Sequence, residues 1–264
     1  NGIQPTVYYE GLGTVVSDTE GYALGEASYD SVSFSVASQD TRPYGIAFNS
    51  TGTKMYILGN VNNTVYQYSL STGFDLSTAS YDSVSFSVAS QSSDSYDLSF
   101  NSDGTKMYVV DITTDSVYQY NLSTAFDLST ASYASVSFSV SSQAANPVGL
   151  SFNTTGTKMY IIGSSTIYQY ALSTAFDLST ASYESVNFSV SSQDSFAFAL
   201  SFNDDGTKML VNGNSSDTFY QYSLSTAFAI DTASYDNASF SVASQDSNPR
   251  GFALNTNGTK LYMI

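Results

Sequence analysis

An internal repeat constrains the fold of this chain more than any other feature. The segment Phe48–Tyr56 recurs with few changes from Phe100, Phe152 and Phe202, and a shorter variant begins at Leu254. The spacings between these starting points are 52, 52, 50 and 52 residues. Repeats of this length are typical of solenoids and propellers, in which each copy is one supersecondary unit. The chain is therefore expected to be an array of such units.

Each copy reads as four short strands. Strand A is short and apolar, as in Gly45–Phe48, and strand B follows a turn that contains glycine, as in Lys106–Val110. Strand C carries a Tyr-Gln-Tyr motif, as at Tyr66–Tyr68, and strand D alternates apolar and polar residues, as in Val84–Val88. No segment keeps a helical period. Four strands in a repeat of this length predict one blade of a β-propeller.

The two ends of the chain look like complementary parts of one blade. Lys260–Ile264 reads as a strand B, and Thr6–Tyr9 resembles a strand C, although Gly13–Val16 could fill that role instead. We therefore predict an all-β, single-domain propeller of five blades, with its ring closed by pairing of the terminal half-blades. The alternative is a slice of a longer array. The predicted units are a half-blade at 1–39, repeats at about 40–91, 92–143, 144–193 and 194–245, and a closing half-blade at 246–264.

The composition excludes several classes of function. Seven basic side chains stand against 23 acidic ones, giving a net charge of −16, so nucleic acid and anionic membrane surfaces would repel the chain. The absence of Cys and His removes most zinc sites, thiol nucleophiles and His-based acid–base catalysis. No apolar run has the length of a membrane span. We expect no cofactor, no metal site, no nucleic-acid partner and no membrane insertion.

The repeat also resembles a known family. The segments Arg42–Asn49, Gly52–Ile57 and Thr64–Tyr66 are similar to the Tyr-Val-Thr-Asn-type propeller repeat. That resemblance covers every copy and implies a propeller, although the period is longer and the blades are fewer than is common in the family. The long repeat resembles those of secreted or surface proteins of microbes and their phages. The resemblance thus implies an extracellular location, on a cell or virion surface.

Differences among the copies are concentrated in two sets of loops. The loops from strand D to the next strand A differ freely, as do those from strand B to strand C. In a meandering blade both sets emerge on one face, which we call the variable face. A ligand site there would use exposed aromatic rings, acids and arginines; the alternative is drift of loops without packing constraints. The candidate ligand-binding residues are Arg42, Tyr44, Tyr96, Asp97, Asp111, Phe196 and Arg250.

Three further sets of residues repeat or recur. One lysine per copy forms a ring that is either an anion collar or a set of cations neutralising nearby carboxylates: Lys54, Lys106, Lys158, Lys208 and Lys260. The strand C glutamines are expected to be buried amides that span neighbouring blades or strands: Gln67, Gln119, Gln169 and Gln221. Sequons compatible with N-glycosylation begin at Asn49, Asn62, Asn121, Asn153, Asn187, Asn214, Asn237 and Asn257.

These features predict a secreted or surface-exposed, non-catalytic module with a structural, adhesive or fibre-forming role. A lectin-like propeller that binds carbohydrate at its variable face is the alternative. A glycan-processing enzyme comes third, because Asp97 and Asp111 are the single pair of acids near the axis. The strand D segments at 32–36, 84–88, 136–140, 186–190 and 238–242 carry no charge or proline. We therefore expect self-association through these outer edges, or glycans that shield them.

Overall fold

The computed structural model describes residues 6–12 and 22–264. Within these ranges the chain forms twenty strands in five antiparallel, four-stranded sheets, together with one-turn 3-10 helices. The strands are numbered β1 to β20 in chain order. The sheets have a propeller arrangement, so the prediction of an all-β propeller is confirmed.

The chain opens with β1 (Thr6–Leu12) and β2 (Ala27–Ser35). The next four strands are β3 (Pro43–Phe48), β4 (Lys54–Gly59), β5 (Thr64–Leu70) and β6 (Ala79–Ser87). They are followed by β7 (Ser95–Phe100), β8 (Lys106–Asp111), β9 (Ser116–Leu122) and β10 (Ala131–Ser139). The third set is β11 (Pro147–Phe152), β12 (Lys158–Gly163), β13 (Thr166–Leu172) and β14 (Ala181–Ser189). The fourth is β15 (Ala197–Phe202), β16 (Lys208–Gly213), β17 (Thr218–Leu224) and β18 (Ala233–Ser241), and the chain ends with β19 (Phe252–Leu254) and β20 (Lys260–Met263). The 3-10 helices are Leu24–Glu26, Leu76–Thr78, Leu128–Thr130, Leu178–Thr180 and Ile230–Thr232.

Four blades each consist of four consecutive strands, and a further sheet has the order β19-β20-β1-β2. The prediction of five blades therefore needs a correction: four blades are found as continuous units in the chain, and the remaining sheet is composed of its two ends. In this composite sheet Tyr9 of β1 lies opposite Tyr262 of β20. The assignment of a strand at Thr6–Tyr9 is thus correct, whereas Gly13–Val16 lies outside the described residues.

The innermost strands of the sheets, β3, β7, β11, β15 and β19, contact one another in that order, and β19 also contacts β3. Small residues permit this approach. A Cβ atom on Gly45 would lie 3.0 Å from the Leu98 nitrogen, and one on Gly251 would lie 3.1 Å from the Cα atom of Gly45. The small residues of the innermost strands therefore let neighbouring sheets converge.

Tyrosine hydroxyls join neighbouring sheets farther from the axis. The Tyr56 hydroxyl donates to the Phe126 carbonyl at 2.5 Å, and the Tyr262 hydroxyl donates to the Phe74 carbonyl at 2.6 Å. Phe74 has a φ of +61° and its ring covers Gly52, where a Cβ atom would collide with that ring. The bond from Tyr262 joins the composite sheet to the blade that follows it.

The strand C glutamines also span neighbouring sheets, as predicted. The Gln67 Oε1 atom accepts a hydrogen bond from the Leu128 nitrogen at 2.9 Å, while its Nε2 atom donates to Asp82. Gln221 makes the equivalent bond to the Leu24 nitrogen at 3.0 Å and so contacts the composite sheet. These amides are buried, and their bonds fix the distance between neighbouring sheets.

The ring lysines are engaged with nearby acceptors. Lys54, Lys158 and Lys208 form ion pairs with Asp82, Glu184 and Asp236 at 2.6, 2.8 and 3.1 Å. Lys106 and Lys260 donate hydrogen bonds to the carbonyls of Phe176 and Phe74. This pattern supports the second of the two interpretations, in which the lysines neutralise nearby carboxylates.

The outer strands differ from their prediction. β6 begins at Ala79, five residues before the predicted start, and Val88 lies beyond its end and is buried. A bulge interrupts the strand between Tyr81 and Val84, with a φ of +58° at Ser83. Asp82 lies in the bulge of β6, and Asp30, Glu184 and Asp236 occupy the equivalent position in other sheets. The edges are therefore less regular and less free of charge than the sequence indicated.

Candidate functional site

The two sets of divergent loops lie together on one face, as predicted. In the first blade, the Asn60 nitrogen of the B–C loop donates to the Arg42 carbonyl of the D–A loop at 2.9 Å. In the fourth, the Asn214 nitrogen donates to the Phe196 carbonyl at 2.9 Å. The variable face is therefore a continuous surface made from both sets of loops.

Aromatic rings from several sheets meet at the axis on this face. The Tyr44 and Tyr96 ring centroids are 4.8 Å apart, and the Tyr96 ring stacks on Phe198 at 5.6 Å. Phe196 contacts Phe198 edge to face at 5.8 Å. We call these four residues, together with Arg42 and Arg250, the arginine–aromatic cluster. Phe198 was not a candidate from the sequence, although it occupies the same repeat position as Tyr44 and Tyr96.

Both arginines of the chain belong to this cluster. Arg42 donates to the Tyr44 hydroxyl at 2.6 Å, which raises the pKa of the Arg42 guanidinium. The Arg250 guanidinium carbon lies 4.8 Å from the Tyr44 ring centroid and 4.5 Å from that of Phe198. Its Nε atom is buried without a hydrogen-bond partner, and neither arginine forms an ion pair with any residue that the structure describes. Cation–π contacts thus hold two positive charges at the axis.

The cluster is more buried than the sequence indicated. Tyr44 is 6% exposed and Phe198 is 1% exposed, so these rings fill the axis rather than stand open to solvent. Tyr96 and Phe196 are half-buried, and Arg42 is exposed. The prediction of Tyr44 as an exposed stacking platform is wrong, because its ring packs against four neighbours of the cluster. The members of the cluster that are not fully buried are Arg42, Tyr96, Phe196 and Arg250.

Asp111 lies apart from the cluster and organises the loops of its own blade. It is fully buried, and its carboxylate accepts hydrogen bonds from the Ser92 hydroxyl, the Asp94 nitrogen and the Thr114 nitrogen at 2.7–2.8 Å. In the first and fourth blades the corresponding acid lies in the D–A loop. There Asp40 and Asp194 each accept hydrogen bonds from backbone nitrogens of both the D–A loop and the B–C loop. The prediction of Asp111 as a ligand contact therefore needs a correction: this residue is buried and stabilises the loops of its own blade.

Asp97 lies deeper along the axis, between β7 and β11. Its Oδ1 atom accepts a hydrogen bond from the Leu98 nitrogen at 2.8 Å, and its Oδ2 atom accepts one from the Leu150 nitrogen at 2.9 Å. Burial raises the pKa of Asp97 to about 7, although both backbone bonds oppose this shift. The acid thus contacts neighbouring inner strands and is not part of the arginine–aromatic cluster.

Asp97 instead lines a cavity that faces the opposite side of the sheets. This axial cavity has a volume of about 380 Å³ and extends towards the A–B turns at Ser50 and Asn101. Residues from β3, β7, β11, β15 and β19 all contribute to its wall. No sequence pattern points to this cavity, because most of its lining residues are the same small and apolar residues that the repeat needs for packing.

The sequons do not all fall on accessible side chains. Asn153 is buried, and its amide nitrogen donates to the Thr155 and Thr157 hydroxyls at 2.9 and 3.1 Å. Asn49 is half-buried and donates to Thr53 in the equivalent turn. These two asparagine side chains stabilise their turns, so their prediction as glycosylation sites needs a correction. The exposed ones are Asn62, Asn121, Asn187, Asn237 and Asn257.

In the part of the chain that the structure describes, no three His, Cys, Asp or Glu side chains are grouped as a metal site would require. None of the helices described is long and apolar enough to cross a membrane.

Comparison with known proteins adds support for the fold. No family model matches the sequence, and no curated protein is significantly similar to it. Among solved structures, a functionally unknown protein from Desulfotomaculum acetoxidans is similar with a TM-score of 0.51 and 12% identity, over 97% of this chain and 72% of that one. A Bacteroides uniformis protein, provisionally assigned as a 6-phosphogluconolactonase, is similar with a TM-score of 0.53 and 12% identity, over 99% and 75%. Their likeness shows the propeller fold alone.

Proposed function

We propose that this chain is a non-catalytic adhesive module of a secreted or surface-exposed protein, and that its variable face binds carboxylate-bearing saccharides. One observation carries this proposal. Both arginines of a chain with a net charge of −16 meet at one point, on the axis of the face where the repeats differ most.

The chemistry of the cluster suits a uronic acid. Guanidinium groups pair with planar carboxylates through two parallel hydrogen bonds, and aromatic rings pack against the C–H face of a sugar. Tyr96 and Phe196 offer partly exposed rings in the same cluster as Arg42. Asp94 and Asp246 lie near Arg42 and Arg250, and their negative charges favour a ligand with isolated carboxylates over a dense polyanion.

Replacing the arginines with residues from other repeats tests this site. Asn146 and Val148 occupy the positions of Arg42 and Arg250 in the third blade, so Arg42→Asn and Arg250→Val should preserve the fold. We expect each change to weaken binding of a tetragalacturonate at least about tenfold, because a charged hydrogen bond is lost. The measurement is isothermal titration calorimetry at low and physiological salt, and affinity should fall as salt rises.

Two controls accompany this experiment. The carboxyl-reduced tetrasaccharide should bind more weakly than the acid, because it lacks the carboxylate. Lys106→Gln removes one positive charge on the side of the A–B turns, where Lys106 contacts the Phe176 carbonyl, and it should leave the affinity unchanged. Equal binding of the acidic and neutral saccharides, or full affinity in both arginine variants, would contradict the assignment.

A structural or fibre-forming role is the second candidate. Each sheet ends in an outer strand that is paired on one side, for example β6 with β5. Such edges can add a strand from another molecule, although the bulges and the net charge oppose this. We expect ordered assemblies that grow with salt in analytical ultracentrifugation and that dissociate in the Ser85→Lys, Ser137→Lys variant. A monodisperse, unglycosylated monomer at high concentration and high salt would exclude this role.

We also propose that the composite sheet acts as a fifth blade and closes the ring, and that the repeats belong to the Tyr-Val-Thr-Asn type. Support for closure comes from the contacts of β19 with both β15 and β3, and from the bond between Tyr262 and Phe74. Support for the repeat type rests on the sequence motifs named above.

A further inference from the structure

The wall of the axial cavity has a polar side and an apolar side. Five equivalent positions, one on each innermost strand, form a ring around the cavity. Ser99, Ser151 and Ser201 occupy this ring on three consecutive blades, whereas Ala47 and Ala253 occupy it on the remaining two sheets. Because the serines are neighbours in the ring, their hydroxyls lie on one side and the methyl groups lie on the other.

The three hydroxyls are available to a ligand. All three serines are half-buried, and within the described ranges none of their hydroxyls has a hydrogen bond to another protein group. A partly buried hydroxyl without a partner loses hydration that a bound ligand can replace. Neighbouring Asp97 lies on the same side, between the strands of Ser99 and Ser151, and both of its oxygens accept backbone hydrogen bonds.

Apart from Ser50, Asn101 and Ser102 near the A–B turns, the rest of the lining is apolar, and it carries no positive charge. The floor is a ring of five buried apolar residues that includes Ile46, Leu150 and Phe252, and the wall near the A–B turns includes the rings of Phe48 and Phe100. None of the described lining residues is a lysine or arginine, and the acid at the floor would repel an anion. The volume of about 380 Å³ lies within the range of about 300–1,000 Å³ that is typical of small-molecule sites.

We infer that the axial cavity is a second binding site, which takes an uncharged sugar residue such as a terminal pyranose. A pyranose presents hydroxyls along its edge and C–H bonds on its face, which match the serine side and the alanine and phenylalanine side of the cavity. This inference is independent of the carboxylate site, because the two lie on opposite sides of the sheets and differ in the charge they accept.

Binding of methyl glycosides tests the inference. The probes are the methyl α- and β-glycosides of glucose, galactose and mannose, observed by NMR of the labelled protein. We expect at least one of them to shift amide signals of β7, β11 and β15 near the three serines. The Ser99→Ala, Ser151→Ala, Ser201→Ala variant should bind that glycoside at least about tenfold more weakly, because three hydrogen bonds are lost.

The variant is designed to fold, since Ala47 and Ala253 already occupy equivalent positions in the same ring. Ser137→Ala on an outer strand is the matched control and should leave the affinity unchanged. Arg42→Asn should also leave it unchanged, which separates this site from the carboxylate site. The inference is overturned if no glycoside perturbs the cavity, if the triple variant binds as well as the native protein, or if glucosamine binds more tightly than the uncharged sugars.

Discussion

Deleting Lys260–Ile264 is expected to remove most of the stability of the protein. Leu261, Tyr262, Met263 and Ile264 are each at most 4% exposed, and a buried apolar side chain contributes about 1.5–3 kcal/mol. Their combined contribution is comparable with the whole net stability of a typical domain, about 5–15 kcal/mol. The deletion also leaves the edges of β1 and β19 unpaired. We expect the melting temperature to fall by more than about 10 °C, or the cooperative transition to disappear, in calorimetry.

Two substitutions separate loss of the strand from loss of a single bond. Tyr262→Phe keeps β20 and removes only the hydroxyl that bonds to the Phe74 carbonyl, at an expected cost of about 1 kcal/mol. Tyr160→Phe removes the equivalent bond to Phe228 between two continuous blades and should cost about the same. An unchanged melting temperature in the deletion variant would show that the composite sheet does not hold the two ends together.

Asp97 is expected to make stability depend on pH near neutrality. Burial raises its pKa from 3.8 to about 7, so the folded protein keeps the proton at pH values where the unfolded chain has lost it. Stability from this group is therefore complete below about pH 4 and is lost as the pH rises through about 7. This difference in pKa corresponds to at most about 4 kcal/mol of the free energy of unfolding.

The Asp97→Ala variant isolates this effect. Ala199 occupies the equivalent position in the fourth blade, so the substitution fits the inner strand. We expect the free energy of unfolding of the native protein to fall relative to the variant between pH 4 and pH 8, measured by denaturant titration. Asp103→Asn is the control, because hydrogen bonds from Thr105 lower the pKa of Asp103 and confine its effect to more acidic pH. Parallel pH profiles for the native protein and Asp97→Ala would contradict the prediction.

Much of the fold was predictable because each contact of the repeat recurs. The Tyr-Gln-Tyr motif predicted a buried amide, and Gln67, Gln169 and Gln221 each accept a hydrogen bond from a neighbouring sheet. The strand alternation likewise located the blades. The start of β6 was missed because Asp82 and Ser83 break the alternation at a bulge, where β6 has two residues more than β5 between successive pairs.

The candidate site was predictable only in part. The sequence identified Arg42, Tyr44, Tyr96 and Arg250, because they lie in or next to loops that differ among the copies. It overestimated the exposure of Tyr44, since no local pattern shows that rings from separate repeats fill the same space. Asp111 was mistaken for a ligand contact because its role depends on its bonds to Ser92 and Asp94 in another loop.

By itself, the sequence determined the repeat, the four strands of each copy and the small residues that let the sheets converge, because these follow from periodicity and residue size within about 52 residues. Only the tertiary structure decided which residues meet at the axis. Tyr44 and Phe198 both contact the Arg250 guanidinium on one side, and Ser99, Ser151 and Ser201 line a cavity on the other. Such groups are brought together by the packing of whole sheets, since residues separated by a full repeat come into contact only when the inner strands converge.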